Sequence, residues 1–317
     1  MIKNLKVLVT GDQGFVGRET VKYFLDKGIE VIGFDLMGAG AGTDIRNIDD
    51  IRNILQLHKE RGGIDRILHL AAIARFAEAD SDPKLAFETN VIGTRNVAVA
   101  AAEFGIPVVY ASTGSVYMPI TEEPPITEEF PVSGNSNYAC TKLLGELYIK
   151  QYASTWIILR YSHLYGKDKR YHGLIGGFLK KIETFMSPVL YGGQQSNDFC
   201  YVKDIARANY KACTTTPDNW RQIYNIGTGE ELTAEEAGKI ICDKAGYKGD
   251  IDIKVGRTVD PLRFVFNVDE AKNMLEFEAE YTFETGLDNM FGLIKLQEDL
   301  DETDEKIDEA LGTGPKE

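Results

Sequence analysis

Lys6-Val7-Leu8-Val9-Thr10-Gly11-Asp12-Gln13-Gly14-Phe15-Val16-Gly17 runs from β-branched apolar residues straight into three evenly spaced glycines. The apolar run predicts a buried strand and the glycines a tight turn. Residues 18–27 carry Val21, Phe24 and Leu25 on one helical face, with Gly28 past the end, and read as a helix. Residues 30–35 read as a second strand. Strand, glycine turn, helix and strand make a βαβ unit, which implies a parallel sheet. One glycine permits the turn, one lets the backbone approach a pyrophosphate, and one lets the helix pack close on the strand. The helix N-terminus then offers free N–H groups to phosphates. Gly11, Gln13, Gly14, Phe15, Val16 and Gly17 are therefore the expected dinucleotide turn. Asp35 follows Gly17 by eighteen residues and ends the second strand. Its carboxylate can accept hydrogen bonds from a ribose diol and repels a 2′-phosphate, so NAD is expected rather than NADP.

The alternation continues outward. Helices are expected at 48–59, 84–103 and 136–152, and strands at 66–71, 107–111 and 156–161. This predicts an α/β fold, a Rossmann doubly wound parallel sheet. Beyond Tyr165 the pattern loosens. Short strands at 199–202 and 223–226, with a helix from Asp204 between them, return to the sheet. The expected division is a dinucleotide-binding domain of residues 1–165 plus about 198–228. A smaller interleaved lobe of about 166–197 plus 229–292 would bind substrate, and 293–317 form an acidic tail.

Composition narrows the function. The 317 residues are 43% hydrophobic and 26% charged, as in ordinary globular domains. The net charge is −14, and residues 298–309 alone hold eight acids and one lysine. Such a chain is a poor ligand for nucleic-acid phosphates. No stretch is apolar and long enough to suggest a signal peptide or membrane span, so a soluble, cytoplasmic protein is expected. Cys140, Cys200, Cys213 and Cys242 are widely spaced, as are the four histidines, so neither a disulfide framework nor a metal site is expected.

Tyr138-Ala139-Cys140-Thr141-Lys142 lies in a predicted helix, which puts the tyrosine and the lysine on one face. A free phenol, with its pKa near 10, is a weak base at neutral pH, and a nearby ammonium favours its phenolate. The pair suits removal of a proton from an alcohol. Upstream, Ala111-Ser112-Thr113-Gly114-Ser115-Val116-Tyr117 follows a strand. Hydroxyls at a strand's C-terminal end face the ligand crevice, where Thr113 can hold a substrate alcohol.

The chain resembles the extended short-chain dehydrogenase/reductase family, in its NAD-dependent nucleotide-sugar epimerase/dehydratase branch. The likeness spans residues 4–292. It rests on the glycine turn, His69-Leu70-Ala71-Ala72, Asn90-Val91-Ile92-Gly93-Thr94, the Ser112–Tyr117 segment and the Tyr138/Lys142 pair. It continues through Leu159-Arg160-Tyr161-Ser162-His163-Leu164-Tyr165-Gly166, Asp198-Phe199-Cys200-Tyr201-Val202-Lys203-Asp204 and Tyr224-Asn225-Ile226-Gly227. The resemblance implies that Tyr138 accepts the proton, that Lys142 binds the nicotinamide ribose and tunes Tyr138, and that Thr113 is the active-site hydroxyl. It implies that Asp44 and Ile45 touch adenine, that Leu70, Ala71, Ala72 and Ala74 line the cofactor, and that Tyr161 and Ser162 sit by the nicotinamide. It places His163, Asn197 and Arg263 on a nucleotide-sugar substrate, and it implies a homodimer formed through the helices of 84–103 and 136–152.

Three departures shape the expected reaction. The family's dehydratases carry an Asp-Glu pair where this chain has Gly114 and Ser115, so water elimination is not expected. His163 and Asn197 replace an asparagine and an arginine that grip substrate phosphates. His172 lies near the acid histidine of fucose-synthase-like relatives, but Ser115 replaces their partner cysteine, and a plain loop histidine is the expected reading. The expected activity is a sugar 4-epimerase that works by transient oxidation of a sugar hydroxyl to a keto intermediate. A net-redox keto-sugar reductase or sugar dehydrogenase is the alternative, and a non-catalytic NAD-binding relative the third.

Overall fold

The structure, a computed structural model, describes residues 5–37, 42–120, 122–167, 173–256 and 262–292. In chain order the first half contains β1 (Lys6–Thr10), α1 (Phe15–Asp26), β2 (Glu30–Phe34), α2 (Ile48–Lys59), β3 (Arg66–His69), α3 (Phe76–Ser81) and α4 (Pro83–Phe87). A π-helical turn (Glu88–Gly93) joins α4 to α5 (Thr94–Phe104), followed by β4 (Val108–Thr113), α6 (Asn137–Tyr152) and β5 (Trp156–Tyr161). Next come β6 (His163–Tyr165), α7 (Gly173–Glu183), β7 (Val189–Tyr191), β8 (Ser196–Asn197), β9 (Phe199–Tyr201), α8 (Val202–Thr214) and β10 (Gln222–Ile226). The last are β11 (Leu232–Thr233), α9 (Ala234–Lys244), β12 (Asp252–Lys254), β13 (Arg263–Phe264), α10 (Asp269–Leu275) and α11 (283–292).

Six strands form one parallel sheet in the order β10-β5-β4-β3-β1-β2. This is the expected doubly wound Rossmann sheet. The strand order reverses between β1 and β3, and in open α/β sheets ligands bind at the C-terminal edge beside that reversal. The central strands are nearly continuous runs of buried residues, β4 being buried throughout, because helices cover both faces, while the edge strand β2 is mostly half-buried. One core includes Phe24 of α1, Ile205 and Ala212 of α8 and Leu275 of α10. The opposite core includes Ile51 and Leu55 of α2, Val97 and Ala101 of α5 and Ile149 of α6. A third core, with Phe178, Ala237, Ile241 and Leu287, ties together α7, α9 and α11.

Local chemistry sets the helix ends. The Asn47 side chain accepts the Asp49 N–H at the start of α2, and Ser136 accepts the Ala139 N–H at the start of α6. Thr233 and Glu236 form a reciprocal capping box on α9. Gly105, at φ +68°, ends α5 in the left-handed conformation that glycine adopts without strain.

Three elements differ from expectation. The helix expected at 84–103 carries the π turn at its centre. There Asn90, fully buried, turns away from the helix: its Oδ1 accepts the Ile73 N–H and its amide donates to the Ile73 carbonyl. Helix α3 was not expected, since six residues show no periodicity. The strand at 199–201 pairs with β6, outside the main sheet. No helix among the described residues is long and apolar enough to cross a membrane. The acidic tail and His172 lie outside the described residues.

Candidate active site

The glycine turn joins β1 to α1 at the strand-order reversal. The Gly11 N–H donates to the Phe34 carbonyl, which ties the turn to β2. Gly11 has φ +74°, and a Cβ there would lie 2.6 Å from the Ala71 nitrogen. A Cβ on Gly17 would lie 2.1 Å from the Gly11 carbonyl oxygen. Both positions exclude a side chain. Gly14 caps α1 with no side chain of its own over the N–H groups of the first turn, which leaves them available to an anion.

Asp35 directly follows β2 beside this turn, where its Oδ2 accepts the Gln13 N–H and its Oδ1 the Met37 N–H. Gln13 also donates from its side chain to Asp12 Oδ2 at 2.5 Å. Asp44 is clamped by Arg46, whose guanidinium holds the carboxyl below its ordinary value. Asp44, Arg46, Asn47, Glu88 and Ile92 line a groove of about 550 Å³. Ile45 is buried under Gly93, so its backbone rather than its side chain is what it can offer to a ligand.

After β3, Leu70 and Ala71 are held by Thr10: the Leu70 N–H donates to its carbonyl and the Ala71 N–H to its hydroxyl. Ala72 is half-buried and Ala74 exposed. His69 is buried between the Thr10 and Thr94 hydroxyls, at 2.7 and 3.0 Å. Burial, with the charge of Lys142 adding to it, holds its imidazole near pKa 3 and therefore neutral.

Thr113 ends β4, and α6, which carries Tyr138 and Lys142, packs against that strand. Tyr138 is half-buried, packs edge-on against Phe76, and has its phenol near enough to the Thr113 hydroxyl to feel it. Burial pushes its phenol up to about 12, although the nearby Thr113 hydroxyl acts the other way. Lys142 is buried with its ammonium 4.2 Å from the centre of the Tyr110 ring. Burial lowers it to about 7, while Glu146, one helical turn on, partly restores it. The expected lowering of the tyrosine by the lysine is therefore not what this arrangement shows. Both groups are poorly solvated, and desolvation disfavours the charged form of each.

The state of Lys142 has a measurable consequence. Between pH 7 and its unfolded value of 10.5 the unfolded chain holds a lysine proton that the folded chain has lost, so stability rises with pH across that window. Below pH 7 the folded chain keeps a buried ammonium at full cost. Lys142→Met is expected to stabilise the protein at pH 6 by on the order of a few kcal/mol, read as a higher melting temperature, and progressively less toward pH 10. Thermal melts of the protein without nucleotide at several pH values check this; a gain that grows with pH contradicts it.

Sequence reasoning passed over a buried polar network beneath Lys142. Arg160 of β5 donates from Nε to Glu146 Oε1 at 2.9 Å and from Nη2 to Oε2 at 2.7 Å. Ser112 donates to the same Glu146 at 2.6 Å. Arg160 also donates to the Tyr117 hydroxyl, which in turn donates to Asn225 Oδ1. The signal in the sequence was a glutamate one turn beyond Lys142 and an arginine inside an apolar strand. Asp198, also buried, accepts the N–H groups of Thr228 and Gly229 and so shapes the turn after β10.

The substrate candidates gather on one side. Asn197 of β8 stands in register with Phe264 of β13, and the Phe264 ring lies edge-on to His163 with ring centres 4.9 Å apart. His163 is exposed on one face and flanked by Phe199 and Phe264 on the other, and the desolvation it meets there lowers its pKa from the ordinary value. Arg263 is gripped by Glu231 at 2.8 and 2.7 Å. Gly114, directly after Thr113, has no room for a side chain: its Cβ would lie 2.5 Å from Phe264 and 2.6 Å from Phe266, both buried. The acid of a dehydratase pair could not occupy this position. Tyr161 is buried with its hydroxyl on Asn209, so it can offer a ligand shape and backbone.

The residues present fit a dinucleotide. Among the described residues, four buried side-chain polar atoms lack a hydrogen-bond partner; two of them, Asp12 Oδ1 and Ser162 Oγ, belong to the glycine turn and to the segment after β5. Unpaired buried polar atoms are costly, and a bound polar ligand would satisfy them. Among the described residues there is no group of acids, histidines or cysteines that could hold a metal.

A family model described as "NAD dependent epimerase/dehydratase family" matches residues 7–227, and the chain belongs to that family of enzymes, whose cofactor is NAD. Among its relatives, a "Putative UDP-glucose 4-epimerase" of Methanocaldococcus jannaschii is 29% identical over 305 residues, 91% of this chain and 98% of the relative. The UDP-glucose 4-epimerase of Thermus thermophilus, solved in complex with NAD, is 27% identical with a TM-score of 0.76, over 89% of this chain and 96% of that one. A UDP-N-acetylglucosamine 4-epimerase of Methanobrevibacter ruminantium, solved with UDP-N-acetylmuramic acid, is 26% identical with a TM-score of 0.79, over 93% of this chain and 100% of that one.

Proposed function

We propose that the chain inverts C4 of a nucleotide-linked sugar, with a uridine diphosphate sugar as the first candidate. The observation that carries this reading is the Tyr138 phenol beside the Thr113 hydroxyl at the ligand edge of the sheet, with a side chain at the neighbouring position 114 running into Phe264 and Phe266. The named relatives support the sugar class. NAD, when bound, supplies the acceptance and return of hydride. Gly11, Gln13, Gly14, Phe15, Val16 and Gly17 would hold its pyrophosphate, Asp35 its ribose, and Asp44 and Ile45 its adenine. Leu70, Ala71, Ala72 and Ala74 would flank it, with Tyr161, Ser162 and Lys142 toward the nicotinamide.

The protein's own part is proton movement and position. Tyr138 takes the proton of the sugar hydroxyl and later returns it, and Thr113 orients that hydroxyl. A phenol at about 12 is a strong base once ionised, and an ammonium on Lys142, one helical turn along α6, is the positive charge that would stabilise it once the site is loaded. His163, Asn197 and Arg263 form the substrate side. Because Arg263 is already paired, it would have to exchange Glu231 for a phosphate. A cytoplasmic homodimer fits the exposed Phe87 of α4 and Leu147 and Tyr152 of α6, an apolar set that a second copy would cover.

Incubation with UDP-glucose, UDP-N-acetylglucosamine, UDP-glucuronate and their GDP and dTDP counterparts, followed by NMR, tests the reading. A C4-inverted product from at least one, without net consumption of NAD, is expected. No inverted product from any of them removes the epimerase proposal, and one NAD consumed per product makes the chain a dehydrogenase.

A further inference from the structure

We infer that Asp12 is a second cofactor-discriminating carboxylate, which acts together with Asp35 to admit NAD and exclude its 2′-phosphorylated form. The inference rests on the reading of Asp35 as the ribose ligand and extends it to a residue that neither the glycine spacing nor the family resemblance singles out. Asp12 sits inside the glycine turn, is only 8% exposed, and is covered on one side by β2. A Cβ on Gly33, two residues before Asp35, would lie 2.7 Å from Asp12 Oδ2 and 3.1 Å from Oδ1. Alternate residues of a strand share a face, so Asp12 lies over the face of β2 from which Asp35 projects.

Gln13 joins the two acids. Its backbone N–H donates to Asp35 Oδ2 at 3.2 Å, and its side-chain amide donates to Asp12 Oδ2 at 2.5 Å. One N–H of that amide is given to Asp12, and the Gln13 side chain keeps its other N–H and its oxygen for anything else that approaches. Asp12 Oδ1 remains buried and without a hydrogen-bond partner. A carboxylate oxygen in that position needs a donor, and a ribose hydroxyl is one. A phosphate offers no donor when fully ionised and meets two negative charges instead of one. The small Gly33 is what lets the second charge lie here at all.

The test is direct binding, read by the fluorescence of NADH and NADPH on titration with wild-type protein, Asp12→Asn, Asp12→Ser and Asp35→Ser. Each variant is first shown to be folded by circular dichroism and melting. Asp12→Asn keeps the shape and removes the charge; Asp12→Ser removes the charge and relieves the fit to Gly33. The expected result is a rise of about tenfold in the affinity for NADPH relative to NADH in a folded Asp12 variant, on the scale of one removed nearby charge. An unchanged ratio in both Asp12 variants, with a shifted ratio in Asp35→Ser, overturns the role of Asp12 and leaves the ribose site standing. An unchanged ratio in all three variants overturns both readings. A wild-type protein that binds neither dinucleotide does the same.

Discussion

Tyr138→Phe is expected to lower turnover by a factor of about 10²–10⁴, the usual contribution of a positioned proton-transfer group. It should leave NADH binding nearly unchanged. The substitution removes one oxygen, keeps the ring against Phe76, and takes the hydroxyl away from Thr113. Thr113 would retain its acceptance of the Ser115 N–H at 3.2 Å, so the turn after β4 should hold its shape. The decisive measurement is single-turnover chemistry beside a binding titration. A variant that binds NADH and turns over at the wild-type rate would exclude Tyr138 as the base. A variant that loses binding as well would show that the hydroxyl is part of the cofactor site.

The second large effect is on stability. Arg160→Met is expected to destabilise the protein by about 3–5 kcal/mol, because it strands Glu146 as an uncompensated buried charge. The side chains of Arg160 and Glu146 are 3% and 1% exposed, so water cannot take the place of the missing guanidinium. Ser112 still donates one hydrogen bond to Glu146, but the other carboxylate oxygen loses its donor. The double variant Arg160→Met/Glu146→Leu should recover much of the loss, since replacing both members of a buried pair by apolar groups is often neutral. Urea unfolding of the two single variants and the double variant measures the coupling. A cost below about 1 kcal/mol for Arg160→Met would mean that the pair is dispensable.

Much of this architecture could be read from the residues. The βαβ unit, the parallel sheet and the approximate strands followed from periodicity, because strands covered by helices on both faces are unbroken apolar runs. The segments 48–59 and 156–161 match α2 and β5 to the residue. What escaped was of another kind. Helix α3 is too short to show a period, and the π turn exists because Asn90 reaches across to Ile73, a contact that sequence spacing does not reveal. The same holds for the site. Tyr138, Lys142 and Thr113 stand together because α6 and the end of β4 meet, as the pattern implied. The electrostatics did not follow from spacing: four residues apart predicts a shared face, whereas burial decides which of the two groups carries charge. The pairing of Arg263 with Glu231, and the closure of Gly114 by Phe264 and Phe266, join residues more than thirty positions apart.

That closure constrains how this chain could change its chemistry. An aspartate at position 114 would be driven into two buried rings, so the substitution would unfold or distort the site before it could protonate anything. Trimming Phe264 and Phe266 beforehand would open a void in the small core they share with Val116, Tyr117 and Ile126. Neither order of steps is free of loss. For a lineage descended from this sequence, a passage to water elimination would therefore demand several changes arriving together.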